Sequence, residues 1–285
     1  MEDEPDFQLF SSLRYDPMLT SLPINTEHWN YDNVTGSAFY MLPFHRDRLL
    51  QAAEHFGWSK AVSQIAGKEG FSHLLRKLNE AIPVNSTTPL RVRTVLSWDG
   101  VISVETNPTP PVSKYNLYPK RIPPPRDGKK VEVSPLTGGV LELGNDDLAH
   151  GDPDRSTPWD VLPDNKGTEP SHYTSYKTTI RGMYTGARER VGIQDMTEPR
   201  EVLISSAEGG EIMEGSLTSV FFWRDGVWTT PPVSSGGQIG TTRRWAVEKR
   251  FCVEASVKVD ELIDGEECWI SNGVRGFIFG RIKLR

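Results

Sequence analysis

Cysteine is nearly missing from this chain: Cys252 and Cys268 are the two in 285 residues. So few exclude a disulfide framework, and their spacing fits no metal-ligand pattern. A reducing compartment, the cytoplasm, is the expected location. Missing as well is any apolar run near the roughly 18 residues that a membrane-spanning helix needs, so no membrane association is expected. The opening MEDEPDFQLF is acidic, without the basic start of a secretory signal. In that light the acceptor-like strings NVT at Asn33 and NST at Asn85 read as chance. No basic block with interleaved aromatics occurs and the net charge is -6, which argues against nucleic acid as a partner. A GxxxxGK[ST] phosphate loop is also lacking, so nucleoside triphosphate chemistry has no support. No internal repeat is visible.

What is present is ordinary for a soluble globular protein: 36% hydrophobic and 25% charged residues. The length implies one large or two medium domains. A strand is expected over 7–15 and helices over 44–58 and 71–82, where Leu49, Ala52, Ala53 and Phe56, then Leu74, Leu75, Leu78 and Ile82, fall in helical phase. The segment 90–98 alternates apolar and polar, then turns at Asp99-Gly100 into VISVET, a hairpin pattern. Proline crowds 106–130, and a second irregular stretch covers 144–171. Loops that long are functional or disordered. Several strands follow over 201–232, a helix over 240–251, and two closing strands in EECWISNG and GFIFGRIKL. The class is α+β. The expected division is an N-terminal domain over 1–115, a proline-rich linker over 116–130 and a C-terminal domain over 131–285.

Four features could carry chemistry, and each has an ordinary reading beside it. Lys177 stands ahead of an amphipathic helix whose stripe is Ile180, Met183, Tyr184, Ala187 and Val191. Most lysines are solvated, and one becomes a nucleophile only when burial or nearby cations free its amine. The string GQIGTTRR (237–244) opens a helix with glycine and two threonines, either a plain N-cap or an anion site built from free N–H groups and the helix dipole. Glu214 precedes a Gly-Ser step, as an exposed turn acid or as a buried partner for a cationic heterocycle. Arg46 and Arg48 are either helix-surface charges paired with Asp47 and Glu54 or a phosphate clamp.

Six strings in register carry a resemblance: LFSSLR (9–14), HRDRL (45–49), Lys177, EGSLTSVFF (214–222), GTTR (240–243) and WISNGVRGF (269–277). In that order they resemble the class IV aminotransferase family, the fold-type IV pyridoxal-phosphate enzymes, and within it the fungal-type 4-amino-4-deoxychorismate lyases. The resemblance implies two α+β domains with pyridoxal 5'-phosphate in the crevice between them, a homodimer and a small-molecule substrate. It implies that Lys177 bonds the cofactor aldehyde and, once displaced, moves the proton. Glu214 would face the pyridine nitrogen and keep it protonated. Arg48, Thr241 and Thr242 would hold the phosphate, with Ser271 and Asn272 passing the same group. Arg14 and Arg275 would meet a substrate carboxylate. The implied reaction is lysis of aminodeoxychorismate to pyruvate and 4-aminobenzoate, a folate precursor. Transamination of a D-amino acid, a branched-chain amino acid or an amine is the alternative. Two departures from the family pattern stand out: Ser219 where asparagine is usual, and Ser11-Ser12 where Glu-Thr or Thr-Thr is usual.

Overall fold

The computed structural model describes residues 5–27, 36–126, 132–133, 140–141 and 151–284. Asn33, the end of the expected linker and the start of the second irregular stretch lie outside the described residues.

Three antiparallel strands, β1 (Leu9–Tyr15), β2 (Leu90–Leu96) and β3 (Ile102–Pro108), form a small sheet in that order. The alternation read in LRVRTVL is the burial alternation of β2, whose Leu90, Val92 and Leu96 face a core. The expected turn is present: Asp99 Oδ1 accepts from the Ser97 hydroxyl at 2.5 Å and the Val101 amide at 3.2 Å. Helices α1 (Leu42–His55), α2 (Ser59–Ile65) and α3 (Gly67–Ala81) cover one face. Leu49, Ala52 and Ala53 of α1 pack on Leu9 and Leu96, while Leu74 and Leu78 of α3 pack on Leu13 and Val92. The short helix α2 was not anticipated, because seven residues are too few to show a 3.6-residue period.

After the four-residue α4 (Lys114–Leu117) and a short pair, β4 (Glu132–Val133) with β5 (Val140–Leu141), an eight-stranded mixed sheet makes up the remainder. Its members are β6 (Trp159–Pro163), β7 (Arg200–Ser205), β8 (Ile212–Gly215), β9 (Ser219–Arg224), β10 (Val227–Thr230), β11 (Val253–Glu254), β12 (Glu267–Asn272) and β13 (Gly276–Ile282). The order is β11-β10-β9-β12-β13-β6-β7-β8. The helices of this half are α5 (His172–Ser175), α6 (Gly182–Arg190) and α7 (Thr241–Glu248).

Three sequence expectations change. The irregular stretch 144–171 contains β6, which pairs in parallel with both β13 and β7. Its string WDVLP carries an acid and a proline, and so hides an interior strand. The described part of the expected linker is packed rather than free: Leu117, Tyr118 and Ile122 are buried with Trp245, Trp269 and Phe277. Lys177 is not at the front of a helix. Helix α6 begins at Gly182, and Lys177 lies in extended backbone bound to the edge of β1. The Phe10 amide donates to the Lys177 carbonyl at 3.0 Å, and the Thr179 amide to the Gln8 carbonyl at 2.9 Å. No described helix is long and apolar enough to cross a membrane. Both cysteines are buried free thiols.

Candidate active site between the two sheets

A cavity of about 620 Å³ opens between the small sheet and the C-terminal half. Phe10, Arg91 and Arg93 come from the small sheet, Arg48 from α1, and Tyr184 and Arg188 from α6. Glu214 ends β8, the turn Ser216–Ser219 follows, Thr241 and Thr242 open α7, and Ser271 to Arg275 cross from β12 toward β13. Eight of the residues singled out from sequence thus meet in one place: Arg48, Lys177, Glu214, Thr241, Thr242, Ser271, Asn272 and Arg275.

Arg14 is not among them. It is fully buried, its Nε donates to Asp16 Oδ2 at 2.8 Å, and its NH1 and NH2 donate to the Pro110 carbonyl at 3.0 and 3.1 Å. A guanidinium so saturated has no donor left for a substrate carboxylate, so its place is structural. Arg46 also points elsewhere: its Nε meets Asp47 at 3.1 Å and its guanidinium lies over Phe71.

Lys177 projects into the cavity with its Nζ 5.1 Å from the Phe10 ring centre. Its amine makes no hydrogen bond or ion pair among the described residues. Burial, then the positive charges of Arg181 and Arg48, hold its ammonium well below the usual lysine range, with Glu214 opposing. That supplies what the sequence could not show for Lys177: surroundings that favour a free amine.

Glu214 is buried, and the Tyr184 hydroxyl donates to its Oε1 at 2.5 Å. Burial raises its carboxyl to about 7, and the Tyr184 bond and the Arg181 charge act against that rise. Gln238 Nε2 donates to the Tyr184 oxygen at 3.3 Å, and the Arg181 guanidinium lies 3.8 Å from the centre of the Tyr184 ring. Arg181 NH2 donates to the Ser216 carbonyl at 2.6 Å, while its NH1 is buried without a partner.

Arg48 reaches the opposite side. Its NH2 donates to Ser11 Oγ at 2.7 Å, and its Nε is buried and unpartnered. Burial lowers its pKa to about 10. Ser11 Oγ also shares a 2.8 Å hydrogen bond with His45 Nδ1, and His45 Nε2 lies 3.5 Å from Thr241 Oγ1. Burial first, and Arg48 next, keep this imidazole neutral. Thr242 Oγ1 and Ser271 Oγ share a 2.7 Å bond. Close approach is built into the backbone here. A Cβ on Gly240 would sit 2.2 Å from Ser219 Oγ, and one on Gly273 would sit 2.4 Å from the His45 ring. Ser219, where asparagine is usual, therefore fits beneath the start of α7. Asn272 Oδ1 is engaged by the Val274 and Arg275 amides, both at 2.9 Å, and shapes the β12–β13 turn.

The turn after Glu214 is held from below by Glu201, 2% exposed. Its Oε1 accepts from the Ser216 amide and hydroxyl at 3.0 and 2.7 Å, and its Oε2 from the Leu217 amide and the Thr218 hydroxyl at 3.2 and 2.8 Å. Sequence reading passed over Tyr184, Arg181, His45 and Glu201. Tyr184 sat in an apolar helical stripe, and nothing in the local pattern marked the other three. The available signal was spacing, since Arg181 follows Lys177 closely and His45 precedes Arg48 within one turn.

These residues fit pyridoxal 5'-phosphate. Two unpartnered guanidinium nitrogens, the free N–H groups at the start of α7, a buried carboxylate and an amine without a hydrogen bond are what its phosphate, ring nitrogen and aldehyde require. Fold and site together have the makeup that this cofactor requires.

The comparisons agree. Residues 149–281 match the amino-transferase class IV family model. An aminodeoxychorismate lyase of Saccharomyces cerevisiae is 27% identical over 235 residues, covering 76% of this chain and 58% of that protein. An aminodeoxychorismate lyase of Bacillus subtilis is 25% identical over 243 residues, covering 82% and 70%. Among solved structures, the branched-chain amino acid aminotransferase of Escherichia coli superposes with a TM-score of 0.56 at 16% identity, over 96% of this chain and 76% of that one. The PLP-bound form of a hypothetical aminotransferase from Mycobacterium tuberculosis does so with a TM-score of 0.53 at 14% identity, over 96% and 80%.

Proposed function

We propose that this chain is a pyridoxal-phosphate-dependent 4-amino-4-deoxychorismate lyase that releases pyruvate and 4-aminobenzoate and so feeds folate synthesis. The observation that carries the reading is the likeness to named aminodeoxychorismate lyases of both a fungus and a bacterium across most of this chain. The cationic cavity around Lys177 supports it.

In this reading Arg48, the start of α7, Thr242, Ser271 and the neighbourhood of Asn272 hold the cofactor phosphate. Glu214, oriented by Tyr184, holds a proton at the ring nitrogen. Bound there, the cofactor supplies a sink for the electron pair released at the substrate carbon that bears the amine. Lys177, its amine kept free by burial and by Arg181, takes the proton from that carbon. The enolpyruvyl ether bond to the adjacent ring carbon then breaks. The six-membered ring becomes aromatic, and the departing enol picks up a proton to become pyruvate. Aromatisation drives the reaction forward, so the protein's task is confined to positioning and proton transfer. The same reading has the chain act as a homodimer in the cytoplasm, which size-exclusion chromatography and fractionation would check.

The deciding experiment supplies aminodeoxychorismate to cofactor-loaded protein without any keto acid. Pyruvate and 4-aminobenzoate appearing in equal amounts support the lyase. Turnover that depends strictly on an added keto acid replaces it with a transaminase.

A further inference from the structure

The phosphate and the ring nitrogen do not use up the positive charge of the cavity. Arg48, Arg91, Arg93, Arg181, Arg188 and Arg275 line it with Lys177, against the two carboxylates Glu105 and Glu214. Some of these cations are spoken for. Arg93 is bound to Glu105 at 3.1 Å, Arg48 to Ser11, and Arg181 to Ser216. Arg275 donates to the Met196 carbonyl at 3.2 Å and stacks over Trp159.

Arg91 and Arg188 differ from these. Among the described residues neither side chain makes a hydrogen bond or an ion pair, although Arg188 is only 9% exposed and both line the cavity. Their guanidinium nitrogens face the cavity, where a ligand can pair with them. Arg91 lies on β2, close enough to Lys177 and Arg275 for its charge to act on both. Arg188 lies on the α6 face that also carries Tyr184 and Arg181 into the cavity. Arg14 is saturated by Asp16 and Pro110, and Arg48 and Arg181 are each anchored by one bond, so these two are the cavity guanidinium groups with no side-chain bond among the described residues.

We infer that Arg91 and Arg188, with Arg275, form the carboxylate-binding wall of the substrate pocket, and that this wall selects a dicarboxylate over a monocarboxylate. The inference rests on the proposed lyase reading only in placing the cofactor at Lys177. A monocarboxylic amino acid would leave one of the two guanidinium groups uncompensated beside the cofactor. A cyclic dicarboxylate pairs both.

The test measures calorimetric affinity of cofactor-loaded protein for three unreactive probes: 3-(carboxymethoxy)benzoate, phenoxyacetate and benzoate. The dicarboxylate is expected to bind at least about tenfold more tightly than either monocarboxylate. Arg91→Gln and Arg188→Gln are each expected to weaken dicarboxylate binding by about tenfold or more, to erase most of that preference, and to leave cofactor absorbance unchanged. Arg91→Lys, which keeps the charge on the same strand, should retain most of the preference and controls for misfolding. Equal binding of all three probes by the unmodified protein, or a full dicarboxylate preference in both glutamine variants, overturns the inference. The two readings fail separately. Loss of the preference in the variants without any 4-aminobenzoate from aminodeoxychorismate sinks the lyase and keeps the wall. Product formation with unaltered probe binding in the variants does the reverse.

Discussion

Lys177 and Glu214 both sit where burial opposes their charge, and the consequence is a pH-dependent cost to the fold. The folded-state pKa of Lys177 is lowered, so between that value and its ordinary 10.5 the unfolded chain binds more protons and stability rises with pH. At neutral pH that penalty is present, and it disappears as pH rises past the ordinary lysine value. Lys177→Met is therefore expected to stabilise cofactor-free protein at pH 7 by about 1 kcal/mol, with the gain shrinking as pH approaches the ordinary lysine value. Denaturant melts of both proteins at several pH values check this. A destabilised variant, or a gain that does not change with pH, would show that the lysine is relaxed where it lies. For Glu214 the sign reverses: its carboxyl is raised to about 7, so the folded state binds more protons above the ordinary value of 4.5 and stability falls as pH rises through that window. At this scale the sequence was informative where a residue type is chemically scarce in its role. Lysine, glutamate and a helix-opening threonine pair were legible as a set. Arg14 was misjudged because sequence shows a guanidinium and not the carbonyls that saturate it.

Elements place these side chains by turns rather than by their regular parts. The Glu214 carboxylate leaves the end of β8, and the following turn keeps its shape because Glu201, one strand away on β7, accepts from backbone and side chains of Ser216, Leu217 and Thr218. Glu201→Gln turns one acceptor oxygen into a donor facing other donors, so a loss of about 2–3 kcal/mol is expected. The same change should loosen Arg181, which is anchored to Ser216, and weaken cofactor affinity. Thermal melts and fluorescence titration with pyridoxal 5'-phosphate read the two effects. A melt unchanged with affinity also unchanged would mean that the turn holds itself. Strong alternation revealed β2, and phased leucines revealed α1 and α3. By contrast β6 was hidden, since its five residues include an acid and a proline and show too little alternation to read as a strand. The Lys177 segment was misread for a related reason: its extended form is imposed by the distant edge of β1, which local periodicity cannot report.

Across the molecule the two halves share one interior. Leu19, Tyr40, Met41 and Phe44 from the first part are buried in the same cluster as Trp245, Trp269 and Phe277 from the last. The matched stretch, residues 149–281, thus has clusters of its own and also shares one with the first part. A fragment of residues 151–285 is expected to bind a hydrophobic dye and to unfold without a sharp transition, because several large aromatics would lose their cover. Cooperative unfolding of that fragment would show the halves to be independent. Assembly of the cavity follows the same logic, with β1, α1 and β2 supplying one wall and the C-terminal half the other. The backbone bonds from Gln8 and Phe10 to the Lys177 segment have a consequence outside chemistry. They cover what would otherwise be the open edge of a three-stranded sheet, the kind of surface on which chains stack into aggregates. Lys177 is carried by the strip of backbone that closes that edge, so changes that free the strip also expose the protein to self-association, and solubility limits how mobile this wall of the cavity can become.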